Sequence, residues 1–270
     1  MKKNTTEKNS LHFEKLISRF FDKNPFYIEK TSDNNEPDFL CPGKCYIECT
    51  LARKGKNSEN SLQTEDSKDE HAMKAITEMS KRGVDDFALS RLSNSIGEKA
   101  KQLKKHIAVG KINAGLPRIV CLSVDLTEFG KDYNYEDIWA DTIKRLLYQI
   151  DGDKIKITTF GAYTVADTSP AIKNTASYGQ IKTGWFLNKE YSVISAILFV
   201  KPRLLRKVYD YITEASNIVS ITELISDDFA LYINSHAEQK LTYDLWEHFD
   251  EIGISTFGYV ESNFKKFVKQ

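Results

Sequence analysis

The segment 36–50, EPDFLCPGKCYIECT, restricts this chain more than any other. Pro42-Gly43 is a turn signal, and its flanks are apolar and β-prone. Asp38–Cys41 reads as one arm of a hairpin, Pro42-Gly43-Lys44 as the turn, and Cys45–Ala52 as the other arm. Side chains alternate faces along a strand, so Glu48 and Thr50 share a face and Cys49 points the other way. A hairpin of this kind brings Asp38 and Glu48 together across the pair. Two carboxylates forced together raise each other's pKa unless a cation neutralises them. Glu48 also lies in an otherwise apolar strand, where an unpaired charge is costly. Mg²⁺, with Mn²⁺ as a substitute, meets both demands: it takes carboxylate oxygens, keeps several waters and leaves room for a phosphate. Such an ion activates water and stabilises charge on a scissile phosphate.

The rest of the chain surrounds this hairpin with alternating elements. Residues 9–21 predict a first helix, capped at Asn9 or Ser10, with Leu11, Phe13, Leu16, Ile17, Phe20 and Phe21 on one apolar face. Residues 25–31 read as a strand and 32–36 as a polar turn. The run 53–70 has almost no apolar residue and predicts a solvated, mobile loop. Residues 71–83 extend that excursion or form a short helix. A long helix is expected from about Val84 to Val109, ending near Gly110. RIVCLSVDL after Pro117 is a strong strand, and Glu136–Gln149 is an amphipathic helix. Residues 151–168 read as a short strand and loop, 181–200 as a strand pair, and 204–214 as a short helix or connector. The tail from 226 is acidic, aromatic and partly helical. This order predicts an α/β fold with a mixed central sheet flanked by helices.

Composition narrows the setting. The 270 residues are 41% hydrophobic, with 15 Phe, 13 Tyr and 3 Trp, which is enough for a substantial core. Net charge is zero, so a nucleic-acid partner would have to be met by local patches. Lys99, Lys101, Lys104, Lys105 and Lys111 make one basic cluster; Lys201, Arg203, Arg206 and Lys207 make another. Cys41, Cys45, Cys49 and Cys121 read as reduced, buried thiols, because no second pair with zinc spacing accompanies them. The five histidines are scattered and none neighbours a nucleophile, which disfavours a serine or cysteine hydrolase. The apolar run SVISAILFV is too short to span a bilayer, and no leader pattern opens the chain. The expected location is the cytoplasm, with no membrane association.

Pro37-Asp38, followed ten positions later by Glu48 behind an apolar residue, resembles the signature of the PD-(D/E)XK nuclease superfamily. That resemblance implies a restriction-endonuclease-like core over residues 1–125. Residues 126–270 would then complete the α/β core and add a C-terminal helical extension. It further implies that Asp38 and Glu48 bind the metal and that a lysine two residues past the second acid orients the water. Here the chain departs from the family, because Thr50 stands at that position. The long helix offers a replacement. Arg91, Ser95, Lys99, Gln102 and His106 fall on one stripe beside the apolar stripe Leu92, Ile96, Leu103 and Ile107. By the same resemblance Lys99 takes the catalytic role, Arg91 and Gln102 contact the phosphate with Thr50 nearby, and Glu14 of the first helix is an extra metal acid.

The implied activity is Mg²⁺-dependent endonuclease hydrolysis of phosphodiester bonds, with DNA as partner, in a setting such as bacterial defence. The missing motif lysine keeps a second reading open: a catalytically inactive nuclease-like module that binds nucleic acid or protein. In either case the C-terminal half is the expected surface for a protein partner or a second copy.

Overall fold

Pro42 and Gly43 reverse the chain as the sequence requires. Gly43 has φ +69°, a backbone region that side chains with a Cβ rarely enter. In a computed structural model of the chain, β2 (Phe39–Cys41) and β3 (Cys45–Ala52) form the hairpin, with Phe39 opposite Ile47 and Cys41 opposite Cys45. The structure describes residues 5–22, 28–31, 37–52, 86–125, 142–144, 146–148, 150–151, 154–155, 162–163, 181–182, 184–187, 189–202, 204–205 and 228–258. The expected loop 53–70 and the segment 71–83 lie outside these residues.

Helix α1 (Thr5–Asp22) precedes β1 (Glu29–Lys30), which pairs antiparallel with β2. Helix α2 (Asp86–Ala108) connects β3 to β4 (Arg118–Val124), and β3 and β4 pair in parallel. Four short strands follow. β5 (Ile150–Asp151) pairs with β6 (Lys154–Ile155), and β7 (Ala162–Tyr163) pairs with β8 (Ile181–Lys182). The chain then returns to the main sheet through β9 (Ala196–Val200), β10 (Phe229–Ile233), helix α3 (Tyr243–Glu251) and β11 (Ser255–Phe257). The result is a mixed seven-stranded sheet in the order β1-β2-β3-β4-β9-β10-β11. β4, β9 and β10 are buried along their whole length, as expected of central strands covered on both faces.

Two apolar layers sandwich the sheet. On one face Phe13, Leu16, Ile17, Phe20 and Phe21 of α1 pack with Leu245, Trp246 and Phe249 of α3. Phe20 stacks on Phe229 of β10 at 4.4 Å, which ties the first helix to a strand near the far end of the chain. Each such fully buried large side chain contributes about 1.5–3 kcal/mol. On the other face Leu92, Ile96, Ala100 and Leu103 of α2 pack with Ile143, Leu146 and Leu147. All four cysteines are free and buried; Cys41 lies opposite Cys45, and Cys49 opposite Cys121.

Three local expectations are revised. Helix α1 begins at Thr5, so Asn9 is interior and not a cap. Its amide instead donates to both oxygens of the buried Asp125, at 3.1 and 2.9 Å. Residues 181–200 do not pair with each other. Trp185–Leu187 and Lys189–Tyr191 are 3₁₀ turns, β8 pairs with β7, and β9 alone enters the main sheet. Stacking of Trp185 on Tyr191, at 3.7 Å between centroids, holds this bend against α2. The tail is partly helical as expected, in α3, but among its described residues β10 and β11 also extend the sheet itself. Within the expected helix 136–149, the described residues 142–144 and 146–148 are helical.

Candidate active site

Proline ends the β2–β3 ladder and thereby frees Asp38 to act as a side chain. The register, continued past Phe39–Ile47, would set Asp38 opposite Glu48 and Pro37 opposite Cys49. Pro37 has no N–H to give the ladder. Its carbonyl oxygen accepts from the Thr31 hydroxyl. The Cys49 N–H therefore turns to Asp38, whose Oδ2 accepts it at 2.7 Å. This bond pins one carboxylate at the mouth of the strand pair.

Glu48 lies on the opposite face of β3 from Ile47 and Cys49, under helix α2. It is 2% exposed. Lys99, one turn past Ile96 on α2, reaches down to it, and its Nζ donates to Glu48 Oε1. Nζ also donates to Gln102 Oε1 at 3.2 Å, so Gln102 steadies the amine one turn further along the helix. Glu48 Oε2 is buried and has no hydrogen-bond partner among the described residues. A buried carboxylate oxygen of this kind is under-satisfied unless another ligand occupies it.

Burial dominates the electrostatics. It pushes the Glu48 carboxyl up to about 7, against the pull of the Lys99 ammonium and with a further push from Asp38. Asp38 is also raised by burial, opposed by the Cys49 N–H and by Lys99. The pair thus stands in an environment that disfavours charge and that one additional cation would relieve.

The remaining expected residues divide. Thr50 sits on the Glu48 face of β3, half-buried, where it supplies no positive charge. Glu14 projects from α1 at the sheet edge, and its Oε2 lies 3.0 Å from Lys30 Nζ. Both Glu14 and Lys30 act electrostatically on Asp38. Arg91 lies within α2, but its side chain is outside the described residues. Among the described residues no three or more His, Cys, Asp or Glu side chains are grouped so as to hold a metal ion. The site is accordingly a two-carboxylate arrangement, which suits Mg²⁺, since that ion is commonly held by one or two carboxylates plus waters and substrate phosphate. The orphaned Glu48 Oε2 fits the same ion.

Two features were not legible in the sequence. One is Asp38 capping the broken ladder, for which Pro37 was the available signal. The other is Lys30, whose relation to Glu14 arises only when α1 packs against the sheet edge. No helix among the described residues is long and apolar enough to cross a membrane. Comparison with protein-family models, with curated proteins and with solved structures finds no match for this chain.

Proposed function

We infer that this chain is a metal-dependent nuclease with a restriction-endonuclease-like core, acting on phosphodiester bonds in DNA. The observation that carries the reading is the Lys99 ammonium lying on Glu48, beside Asp38. It supplies from a helix the positive charge that Thr50 lacks on the strand. The order α1, β1, the β2–β3 hairpin, α2 and a parallel β4 supports the same reading.

In this reading Asp38 and Glu48 hold a Mg²⁺ or Mn²⁺ ion, with Glu48 Oε2 as the free ligand atom. When bound, the ion supplies Lewis acidity and lowers the pKa of a coordinated water. Lys99 does two things. It favours the ionised form of Glu48 against the burial that raises its pKa, and its third N–H, not used by Glu48 or Gln102, orients the attacking water. Gln102 positions that amine, so it acts through Lys99. Burial under α2 keeps the local dielectric low, which strengthens each of these interactions.

Supercoiled plasmid and single-stranded DNA, incubated with Mg²⁺ or Mn²⁺, test the proposal. Wild type should cleave, and Glu48→Ala and Lys99→Ala should each lose about 10²–10³-fold in rate, as expected for loss of a charge-stabilising group. Cleavage that survives Glu48→Ala unchanged would sink it.

A second reading rests on a specific observation. Lys99 already neutralises Glu48 without any metal, so the same geometry serves a catalytically inactive scaffold that binds nucleic acid or protein. Binding of DNA by wild type without cleavage under either ion would select that reading.

A further inference from the structure

Lys30 is a cation at this site, among the described residues, that the proposed chemistry leaves without a task. It lies on the two-residue edge strand β1, opposite Phe39 and thus one register step from Asp38. Two bonds fasten that strand to the strand carrying the carboxylate. The Thr31 N–H donates to Asp38 O at 3.2 Å, and the Thr31 hydroxyl donates to Pro37 O. Lys30 therefore cannot drift far from Asp38 while the sheet edge is intact. Its Nζ lies 3.0 Å from Glu14 Oε2, and the side chains are 59% and 23% exposed.

An ion pair this open holds its partners weakly, since exposed pairs contribute about 0–1 kcal/mol. The ammonium of Lys30 is thus placed but not committed. The charges around it give it a use. Asp38, Glu48 and Glu14 carry three negative charges when ionised, and Lys99 and Lys30 carry two positive ones. Counted over these described residues, the cluster is net negative by one charge and would repel a phosphate. One divalent cation reverses the sign and leaves a net positive mouth. In that state a phosphodiester oxygen competes with Glu14 for the Lys30 ammonium, whose charge acts on Asp38. Lys99 approaches from the α2 face and is 19% exposed, so it is turned inward to Glu48.

We propose that Lys30 is a substrate-binding residue: it leaves Glu14 to grip the nucleic-acid backbone beside the phosphate at the Asp38–Glu48 site. This rests on the nuclease reading for the identity of the ligand. The contact is to the backbone, so it carries no base preference. Its strength depends on salt, because a bound lysine displaces counterions from the phosphates.

Binding without turnover tests it. Fluorescence anisotropy of labelled duplex DNA and of single-stranded RNA is followed in Ca²⁺ across a salt series, for wild type, Lys30→Gln, Lys30→Arg and Lys189→Gln. Lys189 is an exposed lysine on the 3₁₀ turn after β8 and serves as the control. Lys30→Gln should bind about 3–10-fold more weakly whatever the base sequence, and its log–log salt slope should fall by about one. Lys30→Arg should restore affinity and slope, and Lys189→Gln should match wild type. The arm that loses affinity, DNA or RNA, identifies the backbone gripped. Wild-type affinity and slope in Lys30→Gln would overturn the proposal while leaving the nuclease reading in place. An equal loss in Lys189→Gln would also overturn it, because the effect would then be one of general charge. Binding lost in Lys30→Gln by a wild type that cleaves nothing would uphold it and remove the catalytic reading. A wild type that binds neither nucleic acid would overturn both.

Discussion

Lys99 and Glu48 stand 51 positions apart in the chain, and their ammonium and carboxylate meet beneath helix α2. The pair is largely dry, with Glu48 2% and Lys99 19% exposed. Removing one partner from such a pair leaves the other buried without compensation, which is usually the larger part of the cost. Lys99→Met should therefore destabilise the fold by about 1–3 kcal/mol near pH 8, a value set below the fully buried case because the lysine retains some water. Near pH 5 the penalty should shrink, because Glu48 is then protonated. Urea unfolding at the two pH values measures both. Equal penalties would show that Lys99 contributes by packing and not by charge.

The raised pKa of Glu48 sets a sign for stability against pH. Its folded value is about 7 and its ordinary value 4.5. The fold thus holds this proton more tightly than the unfolded chain does. That contribution is present in full below about pH 4.5 and is lost as pH rises through 7, a change of about 3 kcal/mol at most. Asp38, raised by burial too, acts in the same direction. Wild type should accordingly lose stability relative to Glu48→Gln between pH 4.5 and 8. A difference that is flat over this window would remove the buried-carboxylate account of the site.

A divalent ion should reverse that loss. Above pH 7 both carboxylates are available, and an ion that binds only the folded state stabilises it by about 2.7 kcal/mol at 100 times its Kd. Mg²⁺ and Mn²⁺ are expected to raise the melting temperature near pH 8, and to raise it much less near pH 5. The shift should vanish in Asp38→Asn and in Glu48→Gln. A shift that persists in both variants would place the ion elsewhere.

The motif lysine can be returned to the strand. Thr50 shares the Glu48 face of β3 and is half-buried, so a lysine there has a path toward the carboxylates. Thr50→Lys in a Lys99→Ala background should recover cleavage by about 10-fold or more, since one charge-stabilising group is worth about 10²–10³. No recovery, in a variant that folds and still gives the metal-dependent melting shift, would mean that the position of the amine on α2 matters and not only its charge.

Packing around α2 makes a test independent of function. A Cβ at Gly97 would stand 3.1 Å from the Trp185 ring, and that ring is stacked on Tyr191. Gly97→Val should cost about 1–3 kcal/mol by overpacking. Its effect should be reduced in a Trp185→Leu background, where the ring is gone. Denaturant unfolding of the single and double variants gives the coupling directly.

Most local structure was readable because it follows from short-range chemistry. Pro42-Gly43 marks a turn whatever surrounds it, and its alternating flanks can only be strands. The stripe Leu92, Ile96, Leu103 and the run RIVCLSV are long, regular patterns, and they appear as α2 and β4. The bend at 185–191 was hidden, because apolar residues there serve a Trp–Tyr stack against α2 and not a strand face. Asn9 misled for a related reason: its polar side chain suits a cap, but a buried Asp125 far along the chain claims it.

Residue order alone therefore settled that one hairpin carries Glu48 on its second arm and Asp38 just before its first, since turn chemistry and strand alternation act within a few residues. It also placed Lys99 on the helical stripe bordering the apolar face. Whether that amine met Glu48 or water depended on how α2 rotates and slides over β3, which is decided by side chains from both core layers closing at once. The orphaned Glu48 Oε2, the Cys49 N–H turned to Asp38 and the Lys30–Glu14 pair have the same origin. Each joins groups whose separation along the chain carries no information about their distance in space, and only packing brought them within reach.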